Sequence, residues 1–235
     1  EPADRLGRQH GHFGDLVGNV YALDARDGSL IWRKRVDDHP NAAITATPTL
    51  FEGRLYVPVS SLEIITRANP QYDCCTFRGS VVALDARSGE VLWQTYTIDA
   101  KATQRGTNAH GVPQFGPSGA PVWNSPAIDE KRRQLYVATG GNYSAPATGT
   151  SDAVVAMDLA SGSINWVYQG LAGDAWNNAC IAPDKANCPK NPGPDHDFGA
   201  STILARTAKG EDIVLAGQKT GWMHAVDPAT GKLRW

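Results

Sequence analysis

Short runs of alternating apolar and polar residues recur along the chain and predict β-strands, because successive side chains of a strand point to opposite faces. The clearest run ends on an Asp, which is followed four residues later by a Gly and eight residues later by a Trp. Glycine suits a tight turn with a positive φ, so each copy predicts a β-hairpin. Four copies are present, from Asp24 to Trp32, Asp85 to Trp93, Asp158 to Trp166 and Asp227 to Trp235, with glycines at Gly28, Gly89, Gly162 and Gly231.

A second hairpin precedes each of the later copies, at residues 47–57, 125–137 and 201–215. Two hairpins make four antiparallel strands, and a radially repeated four-stranded unit without helical period predicts an all-β fold, the β-propeller. The predicted single domain 1–235 contains a partial blade at 18–36, full blades at 46–97 and 124–169, and a last blade at 200–235. About three and a half blades cannot close a ring of at least four. We therefore expect a fragment, or a propeller completed by something else.

The lengths of the connections predict where a site would lie. Antiparallel strands alternate in direction, so every second connection of a blade reaches the same face. The short hairpin turns share one face, and the long connections share the other. Long loops on a rigid scaffold commonly carry function, so the long-loop face is the candidate site. Its loops are residues 61–79, 98–122, 140–152, 170–199 and the tighter 218–221.

Composition and charge exclude several classes of protein. The chain has 41% hydrophobic residues, 24 Gly and 15 Pro, which is typical of a globular protein rich in turns. Lys and Arg total 22 against 24 Asp and Glu, so nothing indicates a nucleic acid partner. No apolar run of about 18 residues predicts a transmembrane helix. The chain begins at Glu1 without Met, so the missing signal peptide carries no information.

The four cysteines lack the spacing of a zinc or haem site. Adjacent Cys74 and Cys75 can close a strained eight-membered disulfide ring, although two unbridged thiols, or bonds to other partners, are the alternative. Cys180 and Cys188 are expected to close a disulfide that stiffens the 170–199 loop. Because disulfides persist in oxidising compartments, we expect a periplasmic or secreted location.

Several motifs together resemble the quinoprotein alcohol dehydrogenases, and most closely the branch that acts on polyvinyl alcohol. They lie at residues 72–85, 116–120, 122–123, 139–142 and 173–176, and the likeness covers nearly the whole chain. The resemblance implies an eight-bladed propeller. It also implies that the disulfide ring and a tryptophan sandwich pyrroloquinoline quinone at the centre of the disc.

Transferred to this chain, the resemblance implies Cys74 and Cys75 on one face of the quinone and Trp123 on the other. Cations near the carboxylates and carbonyl oxygens would be Arg78 and Lys219, which suits a planar polyanion. The alternative for Trp123 is an ordinary core residue, but it lies outside the repeat, whereas the four repeating tryptophans are predicted to be core. The turn of Ser118, Gly119 and Ala120 is assigned to the same cofactor site.

Two further residues gain roles from the resemblance. Asp174 is similar to the family's catalytic aspartate and would take the hydroxyl proton of the alcohol; a solvated loop carboxylate is the alternative. Asn142 is similar to a calcium-ligating Asn, and an amide oxygen suits Ca²⁺. Related dehydrogenases follow the Ser-Gly-Ala turn with a Glu ligand, whereas Pro121 stands here. The full calcium ligand set is therefore not specified.

The resulting hypothesis is an oxidoreductase that passes hydride from an alcohol to pyrroloquinoline quinone and electrons to cytochrome c. The alcohol could be a secondary or polymeric one such as polyvinyl alcohol. The main rival is a non-enzymatic propeller that binds protein partners through its loop face, since the same repeat builds scaffolds. The third hypothesis is a family member that has lost the ability to bind quinone.

Overall fold

The chain forms a series of antiparallel β-sheets in a computed structural model that describes residues 10–235. The predicted domain's residues 1–9 lie outside the described residues. The strands are β1 His10–Gly14, β2 Asn19–Asp24, β3 Leu30–Arg35, β4 Ala42–Ala43, β5 Thr49–Phe51, β6 Arg54–Ser61, β7 Ser80–Asp85, β8 Val91–Tyr96, β9 Thr103–Thr107, β10 Pro113–Gly116, β11 Ser118–Gly119, β12 Ala127–Asp129, β13 Gln134–Ala138, β14 Asn142–Ser144, β15 Ala153–Asp158, β16 Ile164–Gln169, β17 Ile203–Arg206, β18 Asp212–Gly217 and β19 Met223–Val226. The helices are α1 Glu63–Thr66 and the 3₁₀ turn η1 Asn178–Cys180.

Four of the sheets follow one another as blades, which confirms the all-β propeller prediction. In chain order they are β1-β2-β3, β5-β6-β7-β8, β12-β13-β15-β16 and β17-β18-β19, with every pairing antiparallel. The short strand β4 also pairs with the end of β6, so the second sheet has five strands. The first sheet begins at His10, upstream of residue 18, where the sequence predicted its start. The run His10–Gly14 has little apolar alternation, so the strand is defined by its pairing with β2 rather than by its own pattern.

Apolar residues fill the space between consecutive sheets. Val20 of the first sheet and Leu84 of the second belong to one buried cluster. Tyr56 and Met157 belong to the cluster between the second and third sheets, and Val214 to the one between the third and fourth. Inner strands such as β15 are buried along nearly their whole length because both of their faces meet a neighbouring sheet.

The repeating tryptophans join each sheet to the next. Trp32 donates its indole N–H to the carbonyl oxygen of Ala86 at 3.2 Å, in the turn after the repeating Asp of the following sheet. Trp93 and Trp166 repeat this contact on the next two sheets. The three are partly buried and pack on the core, as predicted. Trp235 is 64% exposed, because within residues 10–235 no further sheet follows it.

The long connections meet one another, as the alternation of strand direction predicts. Isolated bridges join Cys74 to Gln114, Arg78 to Gly119 and Asn142 to Ala175, so four long loops touch. The small pairs β9-β10 and β11-β14 also lie within these loops. Nothing among the two short helical segments of residues 10–235 has the length and apolar character of a membrane span.

Candidate functional site

A cavity of about 300 Å³ opens among the long loops, and we call it the loop-face cavity. Its volume lies at the lower end of the range for small-molecule sites. The walls combine flat aromatic rings with apolar side chains and a few charged groups. The lining residues are Thr45, Ser60, Ser61, Leu62, Ile64, Pro121, Trp123, Tyr143, Trp176, Asn178, Asp195, Asp197 and Lys219.

Trp123 forms one aromatic wall of the cavity. It lies in the connection that enters β12, outside the repeat of the other tryptophans. Gly199 leaves space for the ring, since a Cβ there would lie 3.2 Å from the Cη2 and Cζ2 atoms of Trp123. The indole Nε1 is buried and has no hydrogen-bond partner among the described residues. A buried unpaired donor is costly for an ordinary core residue and common at sites that receive a ligand.

Lys219 provides the cation of the cavity. Its Nζ lies 5.6 Å from the centroid of the Trp123 ring and donates to Asp197 Oδ2 at 2.6 Å and to Asp195 Oδ2 at 3.0 Å. Burial pushes its pKa down, but the hydrogen bond to Asp197 and the two negative charges outweigh burial and raise it. Lys219 therefore stays charged and sits within reach of a cavity ligand.

Asp195 and Asp197 are site residues that the sequence analysis missed. Asp195 is partly exposed in the cavity wall with φ of 62°, and burial and the charge of Asp197 raise its pKa. Asp197 is 5% exposed and also accepts the backbone N–H of Gly141. The available signal was their placement in the longest loop, but loop carboxylates are usually solvated, so residue type alone did not single them out.

Asp174, the predicted base, lies behind the wall of the cavity rather than in it. It is 1% exposed, and its Oδ2 accepts the backbone N–H of His196 at 2.9 Å. Its Oδ1 has no partner among the described residues. Its carbonyl accepts the N–H of Asn142 at 3.2 Å, so the two predicted residues do lie together.

Asn142, the predicted calcium ligand, has its side chain occupied by protein groups. Its Oδ1 accepts the N–H of Thr148 at 2.6 Å and the hydroxyl at 3.2 Å, while its Nδ2 donates to the carbonyl of Ser118 at 3.0 Å. Residues 10–235 contain no group of three or more His, Cys, Asp or Glu side chains placed to hold a metal ion. Asn142 therefore stays a predicted calcium ligand, with its amide oxygen held by Thr148.

Asp152 is a second buried carboxyl that the sequence analysis missed. It is 0% exposed, and neither of its oxygens has a hydrogen-bond partner among the described residues. Burial, followed by the charges of Asp197 and Asp174, raises its pKa to about 9. This carboxyl is therefore neutral at pH 7.

The turn of Ser118, Gly119 and Ala120 supports the site from inside the protein. All three residues are buried, and Gly119 and Ala120 have positive φ. The Ser118 hydroxyl bonds that of Ser144 at 2.6 Å. No residue of this turn lines the cavity, so any role in holding a cofactor would be indirect.

Arg78 points away from the loop-face cavity. Its guanidinium carbon lies 3.8 Å from the centroid of the Tyr96 ring, and it donates to the carbonyls of Ile98 and Asp99 at 3.1 and 2.8 Å. It lines a different groove, formed largely by the ends of the first two sheets. The structure thus separates Arg78 from Lys219, although the sequence analysis placed both near one ligand.

Both predicted disulfides are present. Cys74 and Cys75 are joined and are 1% and 0% exposed, and Cys180 is joined to Cys188. The adjacent pair does not line the cavity. It belongs to the same buried cluster as Tyr143, which does line the cavity.

Comparisons with known proteins agree with this fold. A family model described as outer membrane protein assembly factor BamB matches residues 17–235. Polyvinylalcohol dehydrogenase from a Pseudomonas species is 41% identical over 95% of this chain and 35% of its own, and that from Sphingopyxis sp. strain 113P3 is 39% identical over 92% and 34%. A quinohemoprotein alcohol dehydrogenase structure from Pseudomonas putida HK5 matches with a TM-score of 0.69 and 22% identity, over 95% of this chain and 32% of that one. The chain therefore spans about a third of the length of these relatives.

Proposed function

The chain belongs to the quinoprotein alcohol dehydrogenase family of β-propeller proteins, and we propose that it forms one sector of an enzyme that oxidises an alcohol with pyrroloquinoline quinone. One observation carries the proposal: a flat aromatic ring, a charged lysine and a carboxylate, namely Trp123, Lys219 and Asp195, share one cavity. We further propose a periplasmic location, in line with the two disulfides, and cytochrome c as the electron acceptor.

The residues present suit a planar, negatively charged cofactor. Trp123 offers a ring face on the cavity wall. Its buried N–H has no acceptor among the described residues, and a bound ligand would supply one. Lys219 would pair with a carboxylate or a quinone oxygen. When bound, pyrroloquinoline quinone supplies the two-electron acceptor for the hydrogen on the alcohol carbon.

The aromatic wall has stronger support as a stacking surface than the disulfide has. Trp123 and Tyr143 both line the cavity, whereas Cys74 and Cys75 are buried and do not line it. Stacking of the disulfide ring on the quinone remains our proposal from the family resemblance.

Asp195 is a better placed proton acceptor than Asp174. A base must reach the hydroxyl of the substrate, and Asp195 lines the cavity while Asp174 is buried behind it. Burial and the neighbouring Asp197 raise the pKa of Asp195, and Lys219 opposes that rise. The hydrogen bond from Lys219 at 3.0 Å favours the carboxylate form, which is the form that accepts a proton. We retain Asp174 as a residue that fixes the loop around His196.

The test compares Asp195→Asn with Asp174→Asn in the whole protein that carries this chain, reconstituted with pyrroloquinoline quinone. We expect Asp195→Asn to bind quinone within a few-fold of the original protein and to lose about 10²–10⁴ of its turnover. Asp174→Asn should retain most of its turnover. Full activity of Asp195→Asn together with loss in Asp174→Asn would return the role of base to Asp174. Small secondary alcohols and polyvinyl alcohol, assayed side by side, would identify the substrate class.

A non-enzymatic scaffold is the second candidate, and the description of the matching family model as an assembly factor favours it. It predicts no quinone binding at all. Absorption spectra distinguish the enzyme from the scaffold. They are recorded after quinone is added to the original protein and to Trp123→Ala. Binding that depends on Trp123 supports the enzyme, and its absence in the original protein supports the scaffold.

A further inference from the structure

A buried arginine near the loop-face cavity has only uncharged hydrogen-bond partners in the described part of the chain. Arg67 follows the end of α1 and is 0% exposed. Its Nε donates to the carbonyl of Ile64 at 3.1 Å, and its Nη1 donates to Cys75 Sγ at 3.2 Å and to the carbonyl of Tyr143 at 3.5 Å. Its Nη2 has no hydrogen-bond partner among the described residues. Because a buried charge is costly unless it is paired, this arrangement favours a negative charge nearby.

The buried carboxylate of the same helix is held by other groups. Glu63 begins α1, and its Oε1 accepts the Thr76 N–H at 2.9 Å while its Oε2 accepts the Phe77 N–H at 3.0 Å. His39 Nε2 lies 3.6 Å from Oε1. The charge of Glu63 acts on Arg67, but within residues 10–235 none of the hydrogen bonds of Arg67 goes to a carboxylate. No group in contact with the guanidinium therefore neutralises it.

Arg67 is a cation at neutral pH, and its charge reaches the cavity wall. Burial lowers its pKa to about 10, and the charges of Tyr143, Glu63, Tyr72 and Asp195 oppose that fall. Asp195 lines the loop-face cavity. The positive charge of Arg67 and a carboxylate of the cavity thus already interact in the protein alone.

Tyr143 connects Arg67 with the cavity. The guanidinium carbon lies 4.2 Å from the centroid of the Tyr143 ring, and Tyr143 lines the cavity whereas Arg67 does not. A ligand atom in van der Waals contact with the centre of that ring, about 4 Å away, is no more than about 8 Å from the guanidinium carbon. Little water screens a charge at that range inside a protein, so the attraction on an anion remains substantial.

The wall of the cavity has no surplus of positive charge of its own. Lys219 is the one Lys or Arg among the lining residues, and it pairs with both Asp195 and Asp197. A ligand with several negative charges would therefore meet no net attraction from the wall itself.

We propose that Arg67 is a second cation of the loop-face cavity, which acts on an anionic ligand by its charge and not by contact. The inference rests on the proposed function, in which that ligand is pyrroloquinoline quinone. It makes Arg67 a positioning residue for the cofactor. The Tyr143 ring lies against the guanidinium and separates the two roles, because the ring lines the cavity and the cation does not.

The experiment compares two forms of the quinone that differ in charge. Pyrroloquinoline quinone carries carboxylates, whereas its trimethyl ester has none. Each is titrated into the cofactor-free whole protein that carries this chain, and quenching of tryptophan fluorescence gives the dissociation constant. We expect Arg67→Gln to weaken binding of the acid about ten-fold or more and binding of the ester less than about two-fold. Equal losses for the two forms would mean that Arg67 only supports the structure, and would overturn the proposal.

Two further variants separate charge from shape, and they decide the question where the ester binds too weakly to titrate. Arg67→Lys keeps the cation and should bind the acid within about three-fold of the original protein. Arg67→Met keeps a long side chain without charge and should lose as much affinity as Arg67→Gln, after thermal unfolding has shown that each variant is folded. Arg54→Gln is the matched control, since Arg54 also bonds backbone carbonyls but at the short-turn face, and its affinity should be unchanged. Equal losses in Arg67→Lys and Arg67→Met would refute the proposal.

Failure of the proposed function gives a different result. If the original protein binds neither the acid nor the ester, the proposed function is rejected and this inference with it. If the original protein binds the acid and Arg67→Gln binds it equally well, only the inference is rejected.

Discussion

The repeating and the non-repeating tryptophans of this protein have opposite surroundings. Trp93 donates its indole N–H to the carbonyl of Leu159 at 3.4 Å, and Gly162 makes room for its ring. Trp123 has a buried N–H without a partner in the described part of the chain, and a lysine over its ring. The next sheet supplies a hydrogen-bond acceptor for the indole N–H of the repeating residue, whereas no described residue supplies one for Trp123.

The aspartates show the same contrast. Asp158 of the repeat accepts the N–H groups of Ala160 and Ser161 in its turn, and these bonds lower its pKa. Asp152 and Asp195 lie outside the repeat, and burial raises the pKa of each. A residue type that stabilises the blade in one place is therefore energetically costly in another. Such costs concentrate at functional sites, so departure from the repeat is the more informative signal.

The largest loss of stability is expected when a repeating tryptophan is removed. We expect Trp93→Ala to lower the free energy of unfolding by about 3–5 kcal/mol, because the ring fills the space between two sheets. Trp123→Ala should cost less, since it also removes the unpaired N–H. Urea denaturation of both variants gives the answer, and equal losses would contradict the distinction.

Glycine substitutions separate the strain of a positive φ from the loss of the contact between two sheets. Gly162→Ala should lower the free energy of unfolding by about 2–3 kcal/mol, because the residue has φ of 74° and an added methyl would meet the Trp93 ring. Gly28 has φ of 75° but nothing within 4 Å of an added Cβ, so Gly28→Ala should cost about 1 kcal/mol. Similar values for the two variants would show that backbone strain alone is being measured.

Asp152 gives a pH-dependent test. Its pKa is about 9 in the folded chain and near 4 when unfolded, so folding takes up a proton between these pH values. The stability of the original protein should therefore fall as pH rises from 4 to 9, and Asp152→Asn should remove most of that fall. Urea midpoints at pH 5, 7 and 9 measure it. Asp158→Asn is the control and should instead destabilise at pH 7, because the lowered pKa of Asp158 stabilises the fold above pH 4.

The smallest expected effect is that of Trp123→Phe. The change keeps an aromatic face and removes the unpaired N–H, so the free energy of unfolding should change by less than about 1 kcal/mol. The same change made at Trp93 loses a hydrogen bond and should be destabilising. Thermal unfolding of the two variants distinguishes them. A larger loss at position 123 than at position 93 would mean that Trp123 is part of the core.

Much of the fold could be predicted because the same spacing of Asp, Gly and Trp occurs in four copies along the chain. The spacing from Asp to Gly to Trp located the hairpins, and Asp85 accepts the turn N–H groups of Arg87 and Ser88 as expected. Strand β1 was missed because its residues carry no such pattern. The candidate site was predicted as a face of the propeller, and Trp123 and Lys219, which the sequence analysis assigned to one site, lie 5.6 Å apart from ring centroid to Nζ.

The repeated hairpins and the gathering of the long loops on one face could be predicted from sequence, because periodic patterning and strand direction are local properties. The sequence also indicated both disulfides, but it left unbridged thiols open for Cys74 and Cys75. The orientation of the side chains in the long loops came from the tertiary structure. It turned Arg78 towards Tyr96, buried Asp174 and brought Asp195 to the cavity. Loops have no period, so the orientation of each side chain depends on contacts with distant segments that the sequence does not specify.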